Sequence, residues 1–182
     1  MEFSLFVGVG SDGVNTLCRG APLLAWLAGC ALRPPPGAAR GPGTRLWSLR
    51  TEQKLAYNVA ASALQMKSGG LFEAYLETDP SNKARAKEAM AAALAEVRDK
   101  GLSEEELATA KAGLKSLFLR GNETKISRAS TLASFQALGL GSDFFEAFAA
   151  EVDAVTLDEI NAHARNTLDP AKAHWVLVGP KS

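Results

Sequence analysis

Arg50 and Tyr57 stand seven residues apart in the segment LRTEQKLAY, Leu49 to Tyr57, where a helical pattern gives way to a strand pattern. A guanidinium presents planar, permanently charged donors that can hold a peptide carbonyl. A phenol can donate a hydrogen bond to an oxyanion as it develops. On residue type alone, a surface arginine and a sheet tyrosine with structural roles remain the simpler account of the pair.

Other side chains offer less chemistry. His163 and His174 are the only histidines, one in a helical pattern and the other beside a strand pattern. They cannot easily assemble the three protein ligands of a catalytic zinc site. Cys18 and Cys30 form a C-x11-C spacing that matches no common zinc pattern, and they read as two unpaired thiols. The run Glu104-Glu105-Glu106 opens a helix, where carboxylates complement the macrodipole. Glu73 and Glu77 alternate outward on a strand and face water, while Trp26, Trp47 and Trp175 read as packing residues. The chain has no P-loop, no dinucleotide glycine fingerprint and no G-x-S-x-G elbow. Basic and acidic residues balance at 20 each, so no net field draws the chain to nucleic acid or to an anionic membrane.

The elements that must position these residues fall into two regions, 1–43 and 44–182. In the first, alternation predicts a strand over residues 3–9, then an apolar helix from Pro22 to Ala31. The uncharged stretch Ala21–Leu32 falls short of the roughly 20 residues that span a bilayer. Its Leu27-Ala28-Gly29-Cys30 matches a lipoprotein box ending in Cys30, but Glu2 and Asp12 precede it where a signal would be basic. A buried helix is the stronger reading. The segment Arg33–Gly43, with Pro34, Pro35 and Pro36, reads as a loop.

From Thr44 the pattern is consistent at every level. A short helix over Arg45–Arg50 leads to a strand over Ala56–Leu64, with Tyr57, Val59, Ala61 and Ala63 on one face. Ser68-Gly69-Gly70 reads as the turn of a hairpin whose second arm, Leu71–Glu77, places Phe72, Ala74 and Leu76 on the core face. Asp79-Pro80 opens a helix that Gly101 stops near Lys100. Ser103 with Glu106, and Thr156 with Glu159, are capping boxes for two further helices. The stripe of the first is Leu107, Ala110, Leu114, Leu117 and Phe118. Between them lie helices at about Lys125–Leu138 and around Phe144, Phe145, Phe148 and Val152. His174–Val178 reads as a short strand buried on both faces. The order implies an α+β fold, a mainly antiparallel sheet with helices packed on one face.

Six segments in this order carry a resemblance: RLWSLRTEQKLAY, GLFEAYLETDP, GLSEEELATAK, RASTLA, AVTLDEINAHA and VLVGP. Together, from about Thr44 to Pro180, they resemble the C-terminal, substrate-side domain of pitrilysin (insulinase-type) zinc metallopeptidases. The first 43 residues depart from that family's pattern. The zinc motif H-x-x-E-H, which the family carries in its other half, is absent from this chain.

The resemblance implies duplicated α+β domains, one supplying zinc ligands and a glutamate that activates water, a later one closing over the peptide. Carried over residue by residue, it makes Arg50 and Tyr57 the substrate contacts near the cleaved bond. It implies no cofactor or metal in this chain, zinc in a homologous partner domain or subunit, and a peptide substrate held along a strand edge. Such a chain would take part in proteolysis with its partner and be inactive alone. The alternative is a binding or scaffold module, or a truncated fragment, that keeps the fold without peptidase activity. The compartment stays open between the cytoplasm and the periplasm of a bacterium.

Overall fold

The computed structural model of the chain describes residues 3–10, 45–66 and 70–179. Its elements run β1 (Phe3–Gly10), α1 (Arg45–Thr51), β2 (Asn58–Gln65), β3 (Gly70–Thr78), α2 (Lys83–Lys100), α3 (Glu104–Gly121), α4 (Lys125–Leu138), α5 (Phe144–Ala154), α6 (Leu157–Thr167) and β4 (His174–Val178). Short 3-10 turns at Pro80–Asn82 and Pro170–Lys172 lead into α2 and β4. The α+β fold class expected from the residues is the one observed. The predicted helix at Pro22–Ala31, the proline-rich loop, Trp26 and both cysteines lie outside the described residues, as does most of the hairpin turn.

The four strands form an antiparallel sheet in the order β2-β3-β1-β4. β1 therefore occupies an interior position, paired with β3 from Phe3↔Thr78 to Gly10↔Leu71 and with β4 from Ser4↔Val178 to Gly8↔His174. β2 and β4 are the two edges. Helices cover one face, where Val59, Phe72, Ala74 and Leu76 are buried against Met90, Leu94, Val97 and Ile160. On the other face of β3, Glu73, Tyr75 and Glu77 are half-buried rather than fully solvated, and the Tyr75 hydroxyl donates to the Glu77 carboxylate.

A second part of the core is aromatic. Phe148 stacks on Phe118 at 3.9 Å between centroids, and Phe144 meets Phe135 edge-on at 5.0 Å. Such pairs add to the burial term.

The helix boundaries follow from local bonding. Ser103 and Glu106 close one capping box on α3, and Thr156 and Glu159 close another on α6. Gly101, at φ 72°, returns its N–H to the Val97 carbonyl and ends α2. Asp79 caps the 3-10 turn rather than the helix itself, accepting from the Ser81 N–H. Among the described residues no helix is long and apolar enough to cross a membrane.

β4 and α3 also depart from expectation. β4 is not buried on both faces: it is an edge strand, and Val176, Leu177 and Val178 are each 44% exposed or more. A short apolar run carries no information on how many neighbours it will have. Leu117 likewise does not join the stripe of α3 but is exposed at 38%.

Candidate functional site

The site is built around the connection from α1 to β2. Leu46 and Leu49 anchor α1 in the core. Beyond Thr51 the amides of Glu52 and Gln53 both donate to the Ser48 carbonyl, at 2.9 and 3.0 Å. The chain then turns through Lys54, which takes φ 52°, and Leu55 returns its N–H to the Leu49 carbonyl at 2.8 Å. Buried Leu55 is held from the far side too, because Thr78 Oγ1 donates to its carbonyl at 2.7 Å. Finally the Tyr57 N–H bonds the Glu77 carbonyl at 2.8 Å. These bonds hold the backbone rigidly between Arg50 and Tyr57.

Arg50 and Tyr57 come together as lining residues of one cleft of about 290 Å³. Lys54, Asp79 and Asn82 line it with them. The Arg50 guanidinium lies over the Trp47 ring, 4.9 Å from its centroid, a cation–π contact that limits where its long side chain can go. Tyr57 is 57% exposed. It therefore does not share the covering of the row formed by buried Val59 and half-buried Ala61 and Ala63: it precedes the first residue of β2, and its ring stays open to solvent. The Asp79 carboxylate accepts from Ser81 Oγ at 2.6 Å and from the Ser81 N–H at 2.9 Å. The side-chain bond first, and the backbone bond second, hold its pKa below the ordinary aspartate value.

The placement of α1 depends on Arg45. Its Nη2 donates to the Gly101 carbonyl at 2.7 Å, and its Nε to Glu106 Oε1 at 3.3 Å. One residue thus ties α1 to the end of α2 and the start of α3. A second hollow, of about 320 Å³, lies between α1 and α2, with Arg45, Trp47, Glu52 and Glu96 in its wall. Glu96 is engaged there by Lys100 at 3.0 Å.

Metal chemistry does not fit these residues. Among those described, no group of three His, Cys, Asp or Glu side chains is placed to hold a metal ion. His163 lies on α6 near the Thr167 hydroxyl, at 3.5 Å, and burial lowers its pKa. His174 opens β4, on a different element. Glu104, Glu105 and Glu106 occupy the first turn of α3, where Glu106 accepts from the Ser103 N–H and pairs with Arg45.

Sequence reasoning passed over Lys54 and saw Asp79 only as a cap. The signal for Lys54 was faint: nothing in LRTEQKLAY says that the residue before Leu55 must adopt a left-handed conformation. Asp79 reaches the cleft because β3 and β2 pair in a register that sets Asn58 against Glu77.

Comparison with known proteins bears on this geometry. Residues 38–114 match a family described as the peptidase M16 inactive domain. No curated protein matches the chain closely. Among solved structures, the peptidase M16 inactive domain from Pseudomonas fluorescens superposes with a TM-score of 0.78 at 23% identity, covering 100% of this chain. This chain spans only 42% of that one. The inactive peptidase domain of a Bordetella parapertussis protein gives a TM-score of 0.78 at 19% identity, covering 100% of this chain and 94% of that one. A chain of complex III2 from Candida albicans gives 0.80 at 15% identity, covering 98% of this chain and 43% of its own length. At these identities the structures establish the shared fold.

Proposed function

We propose that this chain, a member of the peptidase M16 (pitrilysin) family through the inactive domain matched at residues 38–114, is the peptide-holding half of a two-part metallopeptidase. It works with a separate, homologous domain or chain that bears H-x-x-E-H and the zinc. The observation that carries this reading is the convergence of Arg50 and Tyr57 on one cleft, from opposite ends of a locked connection. Arg50 holds a peptide carbonyl through its planar donors. The Tyr57 hydroxyl donates to the oxyanion that forms as water attacks the scissile carbonyl. Water activation falls to the partner, which carries H-x-x-E-H, a motif this chain's sequence does not contain. β2, a sheet edge beginning beside Tyr57, offers main-chain groups along which an extended peptide can pair. The division into an N-terminal segment, 1–43, and a peptidase-type domain, 44–182, belongs to the same reading, with β1 contributed to the domain's sheet from before the boundary.

The test is a reconstituted complex of this chain with its zinc-bearing homologue, assayed on a peptide library. In an active complex Tyr57→Phe lowers turnover by about 10²–10³, the scale of losing one oxyanion donor. KM changes little, because that bond strengthens mainly in the transition state. Wild-type turnover in Tyr57→Phe would remove the catalytic role. A second reading, a scaffold module without peptidase activity, draws on the fold shared with the chain of complex III2. Stable co-purification with a partner and no hydrolysis of any peptide in the library would favour it.

A further inference from the structure

Lys54 is the one non-glycine residue with positive φ among the described residues, at 52°. An L side chain rarely takes that conformation, whereas glycine takes it freely. The bonds on either side impose it: Gln53 N–H to the Ser48 carbonyl at 3.0 Å, and Leu55 N–H to the Leu49 carbonyl at 2.8 Å. The backbone would therefore be better served by glycine, and what lysine adds is its cation. Unfavourable backbone conformations of this kind cluster where a site needs a particular side chain.

Lys54 is a lining residue of the cleft already described. Three charged residues line it: Arg50 from the end of α1, Lys54 from the connection, and Asp79 from the turn after β3. Asp79 is committed to Ser81 through two hydrogen bonds. Neither Arg50 nor Lys54 has an ion-pair partner among the described residues, and Arg50 touches the neutral Trp47 ring. The cleft wall thus carries two cationic residues without an ion-pair partner among the described residues, and one engaged carboxylate. At about 290 Å³ the cleft is at the small end of ligand sites, the scale of a side chain with its adjoining backbone.

We infer that Lys54 is a specificity-determining residue: with Arg50 it makes the cleft select a peptide carrying an acidic side chain beside the bond that Tyr57 addresses. The inference rests on the peptide-holding reading of the same cleft. It goes beyond that reading by naming the substrate class and the residue that sets it.

The experiment measures anisotropy of fluorescent peptide pairs, identical except for Glu against Gln or Asp against Asn, titrated with the full chain. At low ionic strength the wild-type chain binds the acidic member about three- to tenfold more tightly, as expected for two exposed ion pairs. Added salt erodes the preference, since exposed charges are screened. Lys54→Gln and Lys54→Gly cut the preference to about two- to threefold, the share left to Arg50, and Lys54→Arg keeps it whole. Lys54→Gly also melts no lower than wild type, because it removes an unfavourable φ along with the charge. A purely structural lysine would leave the acidic preference unchanged in Lys54→Gln, and that result overturns the inference. Equal binding of both peptides by the wild-type chain overturns it too, while leaving peptide holding intact. Failure of a folded chain to bind either peptide removes both readings.

Discussion

Replacing Arg45 with methionine tests whether α1 is held by long-range polar bonds or by its apolar face alone. The side chains of Arg45 and Glu106 are only 19% and 13% exposed, so solvent screens their pairing less than that of a surface pair. Arg45→Met keeps most of the stem and removes the donors. The bond from Nη2 to the Gly101 carbonyl is charge-assisted and short, at 2.7 Å, and is worth about 1.5–3 kcal/mol. The longer contacts to Glu106, at 3.3 and 3.4 Å, add about 1 kcal/mol. Against this, Nη1 of Arg45 is buried without an acceptor, and its removal returns about 1 kcal/mol. The net loss is about 2 kcal/mol, or about 4–8 °C in Tm for a chain of this length.

Urea titrations should show a lower midpoint at an unchanged slope. A double-mutant cycle with Glu106→Gln should show coupling of about 1 kcal/mol. A loss below about 0.5 kcal/mol, with no coupling, would refute the view that Arg45 latches α1, since changes that small are typical of surface sites. The latch also bears on function, because α1 carries Arg50 at its far end.

Two further outcomes follow from the core and from α6. Phe144 is fully buried and meets Phe135 and Phe148 edge-on, so Phe144→Ala should cost about 3–5 kcal/mol in the same urea assay, and a smaller loss would mean that the cavity collapses. Burial lowers the pKa of His163 below its usual 6.5, so the unfolded chain takes up its proton first. The corresponding stability is complete above pH 6.5 and is lost as pH falls through the folded value. His163→Gln should therefore show a smaller fall in urea midpoint between pH 7.5 and 5 than wild type, and identical pH profiles would count against burial as the cause.

What the residues determined by themselves was the helix caps and the strand faces, which depend on bonds and periods within a few residues. The capping boxes at Ser103–Glu106 and Thr156–Glu159 close within a single turn, so their chemistry is written in four consecutive residues. Gly101 ends α2 because the left-handed φ it needs suits glycine. The alternation of Phe72, Ala74 and Leu76 marked the buried face of β3, since the period of a strand is two whatever it pairs with. The ordered segments from RLWSLRTEQKLAY to VLVGP were also enough for the resemblance to the family that residues 38–114 match.

The tertiary structure alone decided what depends on partners far along the chain. β4 became an exposed edge because β1 took the interior position beside it, a pairing between residues more than 160 apart in sequence. Arg45 found Gly101 and Glu106 across 56 and 61 residues, and no local pattern announces such a bond. Tyr57 was legible as a candidate but not as an exposed one, since its solvation depends on where the sheet ladder starts. Asp79 joined the lining of the cleft through the register of β2 and β3, whereas Lys54 owes its left-handed turn to nearby bonds from the Gln53 and Leu55 amides to the Ser48 and Leu49 carbonyls, which no residue pattern announces. Short-range bonds set the elements, and long-range pairing set which of their residues share a cleft.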